Sequence, residues 1–255
     1  MWVLKSLVIA FSMFSRLPLP RLGWNEKSLR WMMAFFPLVG AVVGGAVLLW
    51  SWAAEKLGFG PFLRGAGFAL VPIIITGGIH LDGFCDTVDA LSSHAGPEKR
   101  RVILDDPHTG AFASIGVAAY LLGFAALGSE LEEGLGSAGV FALVFVLSRC
   151  LSGLAVVSFP CATGSSLARA FADGAAKKAT GVILAAAALV TMSAMAWLGG
   201  VVGIAAAAAA LVVFAVYRFW LIGQFGGLSG DLAGWFVQVC ELCALGAIII
   251  AVRLI

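Results

Sequence analysis

Residues 70–91 read Leu70-Val71-Pro72-Ile73-Ile74-Ile75-Thr76-Gly77-Gly78-Ile79-His80-Leu81-Asp82-Gly83-Phe84-Cys85-Asp86-Thr87-Val88-Asp89-Ala90-Leu91. The first half is apolar and extends an apolar stretch that begins near residue 62. The second half carries aspartates at i, i+4 and i+7, which on an α-helix fall within about 60° of arc. Leu81, Phe84, Val88 and Leu91 take the other faces. The stretch therefore predicts an amphipathic helix with its charge on one stripe, directly continuing a span. Like charges one turn apart destabilise a helix, and screening weakens at a membrane surface. Such a stripe calls for a divalent cation, and oxygen-only ligands favour Mg²⁺, Mn²⁺ or Ca²⁺ over zinc. The alternative is a solvated acidic loop, against which the apolar neighbours argue. His80, two residues before Asp82, is rotated about 200° from it and points away from the stripe. It is a candidate ligand, base or cap.

The rest of the chain supplies the membrane. Of 255 residues, 61% are hydrophobic and 12% are charged, and mean hydropathy is +1.03. A soluble domain carries about 25% charged residues. Half that charge cannot cover a wetted surface, which excludes a soluble enzyme, a nucleic-acid-binding domain and a disordered protein. Lys plus Arg number 16 against 14 Asp plus Glu, so bulk charge implies no polyanionic partner. The expected fold is all-α: a polytopic integral membrane helical bundle forming one domain over 1–255. A crossing needs about 20 mostly apolar residues, and seven windows qualify, near 31–52, 62–79, 110–128, 139–158, 180–198, 201–222 and 235–254. Only Gly199 and Gly200 separate the fifth from the sixth, which predicts a tight helical hairpin. Six alanines at 205–210 suit close helix packing. Residues 2–14 are too short to span and predict an interfacial or re-entrant helix. The five cysteines are scattered, four of them in or beside apolar runs, as small hydrophobes are used.

With seven crossings, Lys5, Arg16, Arg21, Lys27, Arg30, Lys99, Arg100, Arg101, Arg169, Lys177, Lys178 and Arg218 fall on one side. Lys56, Arg64 and Arg253 fall on the other, and the loop 129–138 carries Glu130, Glu132 and Glu133 with no basic residue. The positive-inside rule then puts the N-terminus in the cytoplasm. Loops 80–109, 159–179 and 223–234 share that side, so a cytoplasm-facing site in the cell inner membrane is expected.

Further candidates lie in those loops. Lys99-Arg100-Arg101 reads as a topology determinant or as a contact to a phosphorylated substrate. Asp105 and Asp106, before Pro107, read as a helix-capping turn or as groups serving that substrate or its metal. Gly226-Gly227-Leu228-Ser229-Gly230-Asp231 holds enough glycine for backbone N–H groups to cradle phosphate, with a tight turn as the alternative. Glu241 and Arg149 are ionisable residues inside apolar windows, where function is the default expectation, and they are candidates for a buried pair.

These residues resemble the cobalamin synthase family, the adenosylcobinamide-GDP ribazoletransferases. The stretch 77–91 is similar to that family's G-G-x-H-x-D-G-x-x-D-x-x-D hallmark. In family order, Phe14-Ser15-Arg16-Leu17-Pro18 resembles an F-x-T-R-[LI]-P element, with Ser for Thr. Residues 106–112 resemble D-x-R-x-G-A-x, with His108 where Arg is usual. Residues 227–234 resemble G-x-T-G-D-x-x-G. Trp235 and Gln238 then depart from the family's Ala and first Glu, while Glu241 keeps the second Glu.

The resemblance implies a Mg²⁺-dependent phosphotransferase that joins adenosylcobinamide-GDP to α-ribazole, or its 5′-phosphate, releasing GMP in the last assembly step of adenosylcobalamin. Asp82, Asp86 and Asp89 are then expected as metal ligands and, with His80, as the catalytic set. Arg16, Arg100, Arg101, Asp106, Gly227, Gly230, Asp231 and Glu241 are expected as substrate contacts. The implied partners are the two substrates and the lipid bilayer, with no nucleic acid; a homo-oligomer is compatible. Two rival readings fit less of the chain. A CDP-alcohol phosphatidyltransferase is matched only by Gly78-x3-Asp82-x3-Asp86, the tail of its signature, and lacks the remainder. A secondary transporter would need acids near the bilayer midplane and repeated halves, whereas here the acids gather at one edge.

Overall fold

Two consecutive glycines set the layout of the functional end. In the computed structural model, which describes residues 2–20, 22–23, 29–132, 134–162 and 176–255, Gly77 and Gly78 have φ of 69° and 82°. That left-handed backbone is available to glycine without a Cβ clash and ends helices. Arg21, Lys27, Glu133 and Arg169, counted by side above, lie outside the described residues.

The described chain is helical. Helix α1 is Trp2–Phe14. A 3₁₀ turn, Met32–Phe35, leads into α2, Phe36–Lys56, which has Pro37 in its first turn. Then come α3 (Pro61–Thr76), α4 (Ile79–Ser92) and α5 (Pro97–Leu104). Helices α6 (Ala111–Ser129), α7 (Leu135–Ser158) and α8 (Lys177–Gly199) follow. Helix α9 (Val201–Val216) passes through a π turn, Tyr217–Leu221, into α10 (Ile222–Phe225). Helix α11, Gly230–Leu254, closes the described chain. Among the described residues, six segments are long and apolar enough to cross a membrane: Met32–Lys56, Ala111–Ser129, Gly136–Ser158, Lys177–Gly199, Val201–Phe225 and Gly230–Leu254. This is the polytopic membrane helical bundle that the composition predicts, with α1 where a short N-terminal helix was expected.

The second window, 62–79, is a bent pair with the helix after it, which brings the count to seven where the pair is one broken span; its straight run into the aspartates needs correction. Helix α3 stops at Thr76, 16 residues long, and α4 departs from it at 103°. The aspartate run therefore does not continue the span. The apolar Ile79 hides the break, while the paired left-handed glycines make it. A Cβ on Gly77 would collide with Arg16 Cγ, so the N-terminal segment wedges into the elbow. The Arg16 N–H donates to the Ile75 carbonyl at 2.8 Å.

Burial ranks the spans. In α7, 83% of the apolar window is inside, against 22% for both α6 and α8, so α7 is the central post. It packs against α2, α8, α9 and α11. Gly40 and Gly44 of α2 lie so close to the Phe145 and Ala142 carbonyls that neither has room for a Cβ, the close backbone approach that small residues permit in lipid. The expected hairpin is present: Gly200, with φ of 53°, joins α8 to α9. Gly203 packs on the Met195 carbonyl, and Ala206 and Ala210 are fully buried.

The bundle has two distinct ends. At one, Arg64 Nη2 donates to the Ser129 and Leu131 carbonyls at 3.2 and 2.7 Å, and Arg253 pairs with Glu130. At the other, α4 lies against the first turns of α6 and α11, and the polar residues gather there.

Candidate active site

Helix α4 forms as its pattern predicts. Gly83, Phe84, Thr87 and Ala90 are buried, Asp82 is exposed, and Asp86 and Asp89 are half-buried. The apolar side docks on Tyr120 of α6, with the Phe84 and Tyr120 rings 5.1 Å apart. The acidic stripe faces outward.

Two glycines bring a fourth carboxylate to this stripe. A Cβ on Gly83 would lie 2.7 Å from the Asp231 Cα, and one on Gly234 would lie 2.8 Å from the His80 carbonyl. Helices α4 and α11 thus cross backbone to backbone, and Asp231 arrives beside Asp82 and Asp86. Ser229 holds the start of α11, its side chain accepting the Leu232 N–H at 3.2 Å. Burial, then Asp82, Asp231 and Asp89, raise the Asp86 carboxyl to about 6.

Asp89 has a second engagement. Its Oδ1 accepts the Ala113 N–H at 3.3 Å, three residues into α6, where a helix leaves its first N–H groups without internal partners. Gly110 leaves room for this carboxylate, since a Cβ there would collide with it.

Among the described residues, no group of three His, Cys, Asp or Glu side chains stands in metal-binding proximity. The chemistry of the donor set nonetheless fits a hard divalent cation. Asp82, Asp86, Asp89 and Asp231 are all oxygen donors, and Asp86, raised first by burial and then by the neighbouring carboxylates, stands where a cation would favour the ionised form.

The arginines of α5 reach the glycine loop. Arg100 donates to the Gln224 side-chain oxygen, and the Arg101 guanidinium lies 3.8 Å from where a Gly226 Cβ would be. The Nε atoms of both arginines are buried without a partner. Gly226 and Gly227 have φ of 68° and 149°, and Gly227 packs on Ala162 with no room for a Cβ. Leu228 bonds both ways to 160–162: its N–H donates to the Pro160 carbonyl at 2.8 Å, and its carbonyl accepts the Ala162 N–H at 2.9 Å. Gly230, at the start of α11, lines a half-open cavity with Asp231, Asp82 and His80.

Other candidates lie apart. Asp106 is exposed and turns back on its own loop, accepting the His108 N–H at 2.9 Å and facing His108 Nδ1 at 2.7 Å. These hydrogen bonds hold its carboxyl below the ordinary range. It does not cap α6, whose N-cap is Gly110. Glu241 is 1% exposed and paired with Arg149, itself 1% exposed, and it accepts from Ser148 at 3.0 Å. The buried pair is present as the sequence suggests. Glu241 is not brought to the cavity as a substrate contact, because a buried guanidinium demands a nearby anion. Gln238, one turn away, accepts from the Tyr120 hydroxyl at 2.6 Å.

The family model for cobalamin-5-phosphate synthase matches residues 6–249. The chain belongs to the cobalamin-5-phosphate synthase family. Relatives named adenosylcobinamide-GDP ribazoletransferase include a Lachnoclostridium phytofermentans protein, 41% identical over 248 residues and covering 97% of this chain and 94% of the relative. One from Clostridium perfringens is 31% identical over 94% of this chain and 96% of its own length. One from Desulfitobacterium hafniense is 30% identical over 95% of each. No solved structure matches. Within the cobalamin-5-phosphate synthase family, then, part of each of several resembling motifs meets at one end of this bundle: Gly110 and Asp231, from two separate motifs, both reach α4, which carries Asp89.

Proposed function

We propose that the chain is an adenosylcobinamide-GDP ribazoletransferase: a single membrane-embedded, Mg²⁺-dependent domain that joins adenosylcobinamide-GDP to α-ribazole, or its 5′-phosphate, and releases GMP. The observation that carries this is the α4–α11 crossing, which sets Asp231 beside the Asp82–Asp86–Asp89 stripe. The arginines of α5 stand over the neighbouring glycine loop. Asp82, Asp86 and Asp89 are the residues that would hold the cation, which when bound neutralises the diphosphate and the departing GMP.

The chain's own groups do the rest. Phosphoryl transfer asks a protein mainly for positioning and charge neutralisation. Arg100 and Arg101 bind the guanosine diphosphate, with Gly227 keeping the loop close to them. Arg16, at the elbow, adds a positive charge beside the stripe. A ribose hydroxyl of the acceptor attacks the phosphorus that stays on cobinamide; the new O–P bond forms as the bond to the GMP oxygen breaks. Asp82 lines both the half-open cavity and the open groove along Gly77–Leu81, and it receives the hydroxyl proton. His80 is enclosed and held neutral by burial, with Arg149 adding to the effect, so it positions substrate.

The bias of Lys and Arg supports an N-terminus and site loops in the cytoplasm, with the protein in the cell inner membrane. Arg64 and Arg253, at the opposite end, have structural partners there. The test is GMP release by purified protein in detergent with adenosylcobinamide-GDP, α-ribazole and Mg²⁺. Turnover that needs all three is expected. Substrate movement across vesicles without GMP release would instead support a transporter.

A further inference from the structure

Beneath the acidic stripe lies a cavity of about 470 Å³, a size suited to one small ligand. Its walls come from α1, the start of α2, α4, α7 and α11, and they are mostly apolar. Phe14, Phe36 and His80 form one wall: the Phe14 and Phe36 rings are 4.4 Å apart, and His80 lies 6.2 Å from Phe14 at 14° and 5.8 Å from Phe36. His80 is 6% exposed, and neither Nδ1 nor Nε2 has a hydrogen-bond partner. A buried polar group without a partner is costly, and a ligand that pairs with it removes that cost. Asp82 and Asp231 lie at the side facing the acidic stripe.

We infer that this cavity is the subsite for the acceptor's flat heteroaromatic base, a benzimidazole carried on ribose. The inference rests on the proposed transferase reading and adds which substrate occupies which part of the site. A guanine nucleotide needs cations for its phosphates, and the arginines of α5 stand elsewhere, over the glycine loop. The corrin macrocycle of the donor, rimmed with amides, is too large for this volume and too polar for its mostly apolar lining. A benzimidazole fits on three counts. Its π-face suits the Phe14–Phe36 wall, its free ring nitrogen accepts a hydrogen bond that an imidazole N–H can donate, and its ribose emerges beside Asp82. Helix α1 thereby gains a role, since without Phe14 the cavity lacks a side.

The test is equilibrium binding of α-ribazole to the purified protein, read from benzimidazole fluorescence without donor, followed by steady-state kinetics in both substrates. Phe36→Ala and His80→Ala should each weaken α-ribazole binding at least tenfold and raise its KM, while the KM for adenosylcobinamide-GDP changes less than twofold. His80→Gln, which keeps a donor, should recover part of the loss. Ser152→Leu, which adds bulk inside the cavity, gives the same pattern by filling it and covers the case in which an aromatic variant fails to fold. Wild-type protein that binds no α-ribazole, or variants that raise both KM values equally, would overturn the subsite. Wild-type protein that binds α-ribazole through this wall yet releases no GMP would support the subsite and overturn the transferase reading instead.

Discussion

The Asp89 carboxylate of α4 receives the Ala113 N–H at the start of α6, so one member of the acidic stripe also seals the end of a transmembrane helix. The dual engagement separates two substitutions. Asp89→Asn keeps an acceptor for Ala113 but removes charge, so it should lower activity with little change in Tm. Asp89→Ala removes both and should also lose about 1 kcal/mol, as N-cap losses do. Equal Tm values for the two variants would remove the capping role.

Gly110→Ala tests the same contact from the other side. The added methyl meets the carboxylate of Asp89, the movable end of a side chain, so the protein should fold and insert. Asp89 should be displaced and turnover should fall severalfold. Unchanged turnover would show that the position of Asp89 is unimportant.

Asp82→Asn and Asp86→Asn should each abolish most activity at saturating Mg²⁺ while the protein still inserts. Near-normal turnover by two of the three stripe variants, Asp89→Asn included, would be incompatible with a cation held on this face.

Asp86 gives a pH signature. Its carboxyl, raised to about 6 by burial and by Asp82, Asp231 and Asp89, ionises less readily in the fold than in the unfolded chain. The folded state therefore binds the extra proton, and the stability this brings is lost as pH rises from about 4 through 6. With chelator present, wild-type Tm should drop more steeply across that window than the Tm of Asp86→Asn, and Mg²⁺ at pH 7 should raise the wild-type value more. Parallel pH curves with and without the side chain would contradict this.

Removing one partner of the Arg149–Glu241 pair leaves an uncompensated charge inside the bundle, and Glu241→Ala should cost about 3–5 kcal/mol. The double replacement Arg149→Met with Glu241→Leu should recover most of that loss in a thermal unfolding series. A double variant no more stable than the single one would argue against simple charge compensation.

The sequence made some of this legible and hid the rest for identifiable reasons. The spans were readable because lipid imposes long apolar windows, and the stripe was readable because a 3.6-residue period puts Asp82, Asp86 and Asp89 on one face. The Arg149–Glu241 pair was suggested by two lone charges in apolar surroundings. The elbow was hidden by Ile79, which extends hydropathy past the backbone break at Gly77–Gly78. Asp231 joins Asp82 through Gly83 and Gly234, a contact between segments about 150 residues apart that no local period encodes. Asp89 capping Ala113 and Arg100 meeting Gln224 are likewise products of tertiary packing.

The shortness of α3 has its own effect on the surroundings. Sixteen residues rise about 24 Å, less than the roughly 30 Å of hydrocarbon in a typical bilayer. A helix this short is matched by a thinner bilayer or by flanking side chains that reach out to the interface. Thinning on this side would let headgroups and water descend toward Asp82, so that a polar ligand could reach the acidic helix without crossing an oily layer.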